Sequence, residues 1–217
     1  MSDVNGPPRR RYQSAVREEG ARRTRGAIVA AARDLFVERG YASTSLADVA
    51  AVAGVARPTV FAAFGSKAAL LKQVLDDALA GDDEPVPVAR RPWFRPVWNA
   101  TTSAAVLDAY ADVCLVIARR AARLFEVVHR AADEAPDVAG LWRTLESNRR
   151  AGARMVVEQA RKLGGLSPGL SGERAVDVLS LYNDPTVYAA LVLDRGWAET
   201  SFRRWLAQTM RRALLSD

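Results

Sequence analysis

Side chains that ordinarily do covalent or metal chemistry are scarce in this chain. One histidine, His129, and one cysteine, Cys114, cannot make up the ligand set of a usual zinc site. No G-x-S-x-G elbow, Walker A loop or dinucleotide fingerprint occurs. The glycine-rich GGLSPGLSG (Gly164 to Gly172) follows a helical stretch and reads as a loop, not a phosphate cradle. The carboxylate pairs Asp76-Asp77 and Asp82-Asp83 read as solvated. Catalysis, cofactors and bound metals therefore find no support, and the protein is expected not to be an enzyme. The abundant chemistry is that of guanidinium: 28 arginines against three lysines, Lys67, Lys72 and Lys162. Arginine suits phosphates and guanine edges. The heavy Ala and Val content could reflect a GC-rich genome, so the count alone says little about partners. The placement says more. Residues 1–72 hold 12 basic and 6 acidic side chains, a surplus of +6, whereas residues 73–217 hold 19 of each. A localised basic field is what attraction to a phosphate backbone requires.

The elements that would position those groups are helical. Residues 1–21, with Gly6, Pro7 and Pro8, read as a flexible arm that becomes helical near its end. A first helix is expected from Arg22 to Arg39, because Ile28, Ala31, Ala32, Leu35 and Phe36 recur at helical spacing and Gly40 supplies a stop. Ser45, or equally Thr44, caps a second helix whose Leu46, Val49 and Ala50 face inward, with Asp48 completing a capping box. Gly54 permits a tight turn, Val55 plugs the angle, and Pro58 opens a third helix, about Arg57 to Phe64, that buries Val60 and Phe64. The stretch from Thr44 to Phe64 thus has the layout of a helix-turn-helix. Ser66 caps a fourth helix, Lys67 to about Ala80.

Gly81 to Pro96, with an acidic triplet and four prolines, reads as a linker or ordered loop that Trp93, Phe94 and Trp98 pack down. Beyond it, strand signals are weak. A helix capped by Ser103 or Asp108 runs to about Ala132; a second spans Val138 to Leu163; a third, Glu173 to Asn183. Pro185 either opens a new helix or kinks this one, and Ala198 to Leu215 forms the last, amphipathic helix. The fold class is all-α, in five parts: an arm (1–21), a helix-turn-helix domain (22–66), a connecting helix (67–80), a linker (81–98) and a C-terminal domain (99–217).

Three stretches carry a family resemblance: IVAAARDLFVERGY (Ile28 to Tyr41), TSLADVAAVAGV (Thr44 to Val55) and RPTVFAAFGSKAALL (Arg57 to Leu71). In this order and spacing they resemble the TetR family of transcriptional regulators. That resemblance implies a DNA-binding head, a connecting fourth helix, and a C-terminal regulatory and dimerisation domain. It implies DNA contacts at Thr44, Ser45, Ala56, Arg57, Pro58, Thr59, Phe61 and Lys67. Arg57 would bond a guanine edge or clamp a phosphate; Thr59 would offer its hydroxyl to phosphate and its methyl to thymine. Phe61 stands where the family commonly has Tyr, so it either touches a thymine methyl or sugar or is simply core. Ala62 and Ala63 leave the helix few polar side chains, which shifts readout toward Arg57, Thr59, the arm and DNA shape.

By the same resemblance a small-molecule effector pocket would lie among Trp98, Tyr110, Cys114, Phe125, His129, Trp142, Met155 and Tyr182. Taken singly, each of these reads as core, and His129 as a surface residue. The stretch from Asp184 to Leu215 is similar to the end of a TetR subgroup in which the last two helices pair with a second subunit. It would place Val187, Leu191, Trp197, Phe202, Trp205, Leu206 and Met210 at a homodimer interface. The expected partners are a double-stranded DNA operator, a second copy of the chain and an effector. No apolar run suits a membrane span, no export signal appears, and the lone cysteine fits a reducing cytoplasm. The rival readings are an all-helical protein–protein interaction module and a helical enzyme.

Overall fold

The computed structural model describes residues 9–216, with side chains from residue 17 onward. Helices account for all its regular structure: α1 (Arg9–Arg39), α2 (Leu46–Val52), α3 (Arg57–Phe64), α4 (Lys67–Ala80), α5 (Arg95–Asn99), α6 (Ser103–Ala132), α7 (Pro136–Lys162), α8 (Gly172–Tyr182), α9 (Pro185–Tyr188) and α10 (Glu199–Leu214). No strand occurs among the described residues, as an all-α chain requires. Nor is any single helix there long and apolar enough to cross a membrane. The chain divides into two compact units within α4, Met1–Val74 and Leu75–Asp217.

The first unit is built on α1. Its helix begins at Arg9, so residues 9–21, expected in the arm, are helical, and residues 1–8 of that arm lie outside the described residues. The apolar spacing read from the sequence becomes the core. Ile28, Ala32 and Phe36 of α1 are fully buried with Val49 of α2, Val60 of α3 and Leu70 and Leu71 of α4. Each large side chain so buried is worth about 1.5–3 kcal/mol. Ser66 caps α4 as expected, its hydroxyl accepting from the Ala69 N–H at 3.1 Å.

The second unit is a helical bundle in which α6 packs on α7, α9 and α10, and α8 packs on α7. Its core joins Val106, Leu107 and Ala111 of α6 to Val156 and Ala160 of α7 and Phe202, Leu206 and Met210 of α10. Thr102, not Ser103 or Asp108, caps α6 by accepting from the Ala105 N–H at 3.1 Å. Ser103 is instead buried, donating to the Ala160 carbonyl at 2.9 Å. Pro185 opens a helix of its own: Asp184 is extended at φ −75° and ψ 119° and caps the Thr186 N–H. The helix then widens into a π-turn over Ala189–Leu193, closed by the Asp194 N–H donating to the Ala189 carbonyl at 3.0 Å.

The proline-rich segment after α4 is ordered within the second unit. Arg91, only 3% exposed, holds it as a staple. Its guanidinium donates to the Val86 carbonyl at 3.0 Å, the Glu84 carbonyl at 2.8 Å and the Asp82 carboxylate at 2.6 Å. Trp98 donates to the Ala89 carbonyl at 2.7 Å and stacks on Phe94 with ring centroids 5.0 Å apart.

Candidate nucleic-acid interface

Two local devices set the angle between α2 and α3. Ser45 and Asp48 form a reciprocal capping box: the Asp48 N–H donates to Ser45 Oγ at 3.1 Å, and the Ser45 N–H donates to Asp48 Oδ2 at 2.9 Å. The Ser45 hydroxyl also donates to that carboxylate at 2.6 Å. These hydrogen bonds from Ser45 hold Asp48 below the usual carboxylate range. At the other end, Gly54 takes a left-handed φ of +67°. The Val55 N–H then reaches the Ala50 carbonyl at 3.0 Å and the Gly54 N–H the Ala51 carbonyl at 3.3 Å, the paired bonds of a Schellman motif. A Cβ at residue 54 would meet nothing, so the backbone conformation is what requires glycine there. The helices cross with a bend of 112°, within the range of DNA-docking helix-turn-helix pairs.

This angle turns one face of α3 outward. Val60 is fully buried and anchors the helix, while Ala56, Arg57, Pro58 and Thr59 are exposed. Phe61 is 62% exposed, which rules out the core alternative and puts its ring on the same surface. Phe64, expected to be buried, is half-buried, with the Arg25 guanidinium 4.2 Å over its ring.

Two expected DNA contacts make hydrogen bonds within the chain. Thr44 is 1% exposed, and its hydroxyl donates to the Gly40 carbonyl at 2.8 Å and the Leu35 carbonyl at 3.3 Å. It closes the end of α1 and has no hydroxyl to offer a phosphate. Lys67 is half-buried; its ammonium donates to the Tyr41 carbonyl at 2.8 Å and lies 4.1 Å over the Tyr41 ring. The side chain thus anchors the start of α4 to the turn after α1. Ser45 stays exposed, with its hydroxyl engaged in the capping box.

Sequence reading missed Arg25. It donates to the Ala63 carbonyl at 2.9 Å, at the end of α3, and to Gln73 Oε1 of α4 at 2.7 Å. One side chain thus ties the recognition helix to α1 and α4. Nothing in the sequence signals partners 38 and 48 positions away.

The effector candidates of the second unit do not gather in one place. Tyr110 and Cys114 lie one turn apart on α6, both buried. Asn183 donates to the Tyr110 hydroxyl at 2.9 Å and to the Arg149 carbonyl at 3.2 Å, and Arg149 pairs with Asp184 at 3.1 Å. Burial pushes the Tyr110 hydroxyl far above its ordinary range and the Cys114 thiol up to about 12. Arg149 and Asn183, both half-buried and not singled out from the sequence, complete this polar cluster. Phe125 is also buried, but it lies about 16 Å beyond Cys114 along α6 at 1.5 Å per residue, edge-on to Trp142. His129 is exposed, as expected, and stacks on Trp142 at 4.6 Å. Tyr182 is half-buried, and Met155 is 40% exposed.

The dimer candidates also separate. Phe202, Leu206 and Met210 are between 0% and 2% exposed and belong to the chain's own core, so they are not available to a partner. Helix amphipathicity alone could not distinguish an intramolecular from an intermolecular apolar face. Val187, Leu191 and Trp205 are half-buried, and Trp197 is 38% exposed, edge-on to Trp205 at 6.0 Å.

Comparison with known proteins addresses the same region first. The model of the TetR family of bacterial regulatory proteins matches residues 28–74. The chain is 30% identical over 190 residues to the HTH-type transcriptional regulator TtgR of Pseudomonas putida, covering 81% of this chain and 84% of the relative. The crystal structure of NalD, the secondary repressor of the MexAB-OprM multidrug efflux pump in Pseudomonas aeruginosa, superposes with a TM-score of 0.67 at 21% identity, over 91% of this chain and 98% of that one. A SmeT–triclosan complex superposes with a TM-score of 0.65 at 19% identity, over 89% and 92%. At such identities the two structures speak to fold alone. Combined with the TtgR alignment and the outward face of α3, they lead to one conclusion: the chain belongs to the TetR family of bacterial regulatory proteins and is a DNA-binding transcriptional regulator.

Proposed function

We propose that this regulator is a ligand-responsive repressor that acts in the cytoplasm as a homodimer on a roughly palindromic operator. The carrying observation is the outward face of α3, where Arg57, Thr59 and Phe61 stand exposed beside the buried anchor Val60. On this reading α3 enters the major groove, whose width admits one helix. Arg57 bonds a guanine edge or a phosphate, Thr59 meets a phosphate or a thymine methyl, and Phe61 lies against a methyl or sugar. Ala56 and Pro58 allow close approach, and Ser45 lies at the flank. Two-fold symmetry of the dimer makes the operator symmetric. Val187, Leu191, Trp197 and Trp205 supply its apolar contacts.

An effector would bind in the second unit, with the Tyr110–Cys114 cluster and the Phe125–Trp142 pair as separate candidate walls and Met155 and Tyr182 flanking. It relieves repression by binding the DNA-free arrangement of the two heads more tightly than the operator-bound one; without such differential affinity nothing shifts. The protein therefore works by binding and not by catalysis. A gel shift with the DNA upstream of its own coding sequence tests the reading. A sequence-preferring complex that Arg57→Ala weakens about 10–100-fold is expected. No complex with wild type or mutant would contradict it.

A further inference from the structure

Among the described side chains, the upstream part of α1 has no evident folding role. The helix starts at Arg9, but its buried apolar pattern begins only at Ile28, which is also where the family match begins. Between these points the helix runs about 28 Å. From residue 17 to residue 23 every side chain is exposed. Over those seven residues the helix buries nothing that would stabilise it.

Its charge is equally distinctive. Residues 9–25 contain seven arginines and two glutamates, a balance of +5 in a chain whose total is +6. Residues 26–72, the helix-turn-helix proper, contain five basic and three acidic residues, only +2. The surplus noted in the first third of the sequence therefore sits upstream of the recognition helix. Of the glutamates, Glu19 pairs with Arg22 at 3.3 Å, which still leaves a strong positive balance. The anchor of the helix is also fixed: Arg25 holds it against the Ala63 carbonyl at the end of α3. The basic segment is thus the continuous N-terminal extension of α1 beyond its tie at Arg25 to the end of α3.

We infer that Arg9–Arg25 is a second DNA-contacting element, which lies along the phosphates flanking the groove that α3 enters. Duplex DNA carries one negative charge per about 1.7 Å of axis, so a basic helix of this length meets several phosphates. The contact is with phosphate and carries no sequence readout of its own, so it supplies affinity that the polar-poor α3 lacks. No Leu, Ile, Phe or Trp occurs between Arg9 and Arg25, so the segment lacks the large apolar residues that a membrane-surface helix buries. This inference rests on the operator-binding reading above.

The test uses the full chain. Wild type, the triple variant R9Q/R10Q/R11Q, the double variant R17Q/R23Q and the matching Arg→Lys variants are titrated against an operator duplex and a random duplex by fluorescence anisotropy across a salt series. Removing the partner of one phosphate makes the slope of log affinity against log salt shallower by about 0.9. The Gln variants are expected to weaken binding by comparable factors on both duplexes, with shallower slopes, the Lys variants to restore wild-type slopes, and thermal unfolding midpoints to stay unchanged. Unchanged slopes in Gln variants beside a salt-sensitive wild type would overturn the inference while leaving operator binding intact. So would weakening confined to the operator, failure of Lys to restore the slope, or a fall in the unfolding midpoint. Failure of wild type to bind either duplex would remove the operator reading and this inference together.

Discussion

The two units use arginine in opposite ways. In the second, arginines pair across helices: Arg203 with Asp112, Arg211 with Asp108, Arg119 with Glu199, Arg123 with Asp194 and Arg150 with Asp177. These partners are far apart in sequence, 91 positions for Arg203–Asp112 and 80 for Arg119–Glu199. In the first unit the pairs Arg22–Glu19, Arg33–Asp34 and Arg39–Glu38 are local and exposed. Arg57 stands on the open face of α3. Equal numbers of charges neutralise the second unit and orient its helices, while the first keeps a field for something outside itself. Exposed pairs contribute about 0–1 kcal/mol each, so the cross-helix network selects an arrangement more than it stabilises one. Net charge alone would have hidden this difference.

The comparison breaks most readily where the second unit depends on apolar packing. Phe202 is 2% exposed and edge-on to Tyr188 at 5.4 Å. Phe202→Ala is expected to cost about 3–5 kcal/mol in urea unfolding. In the first unit the larger effects should divide between binding and stability. Arg57→Ala should lower operator affinity by about 1–3 kcal/mol in a titration without moving the unfolding midpoint. Thr44→Val should do the reverse, losing about 1–3 kcal/mol of stability because the Gly40 carbonyl loses its hydroxyl donor, with little effect on DNA affinity per folded molecule.

Ser45→Ala should cost about 1 kcal/mol through loss of the cap. Its pH dependence follows from Asp48. That carboxyl titrates lower folded than unfolded, so its contribution is full above the unfolded value and disappears as pH falls through the folded one. The stability gap between wild type and Ser45→Ala should therefore narrow in acid, below the ordinary aspartate range. Smallest of all, Asp112→Asn should cost at most about 1 kcal/mol, the value of an exposed pair.

Much of this was legible in the sequence, for identifiable reasons. Caps, turn glycine and apolar spacing are local signals, so Ser45, Asp48, Gly54 and Val60 have the roles their neighbours dictate. Pro185 was ambiguous because a proline serves both a helix start and a kink; the Asp184 cap resolves it. What was not legible is non-local. Thr44 and Ser45 look equivalent beside the second helix, but only folding α1 against it puts the Thr44 hydroxyl under two carbonyls. Lys67 and Arg25 find partners that spacing does not announce. Phe202, Leu206 and Met210 form an apolar stripe whose destination, core or partner, depends on whether α6 already covers it.

The central claim is that the first unit holds a DNA-reading face backed by a basic field that the second unit lacks. Its most direct test is the affinity of the full chain for operator and scrambled duplexes across a salt series, in wild type and Arg57→Ala. Wild-type binding should weaken steeply with salt and prefer the operator, and the mutant should lose that preference while keeping most of the salt slope. Binding that is insensitive to salt, or a mutant with undiminished preference for the operator, would contradict the claim.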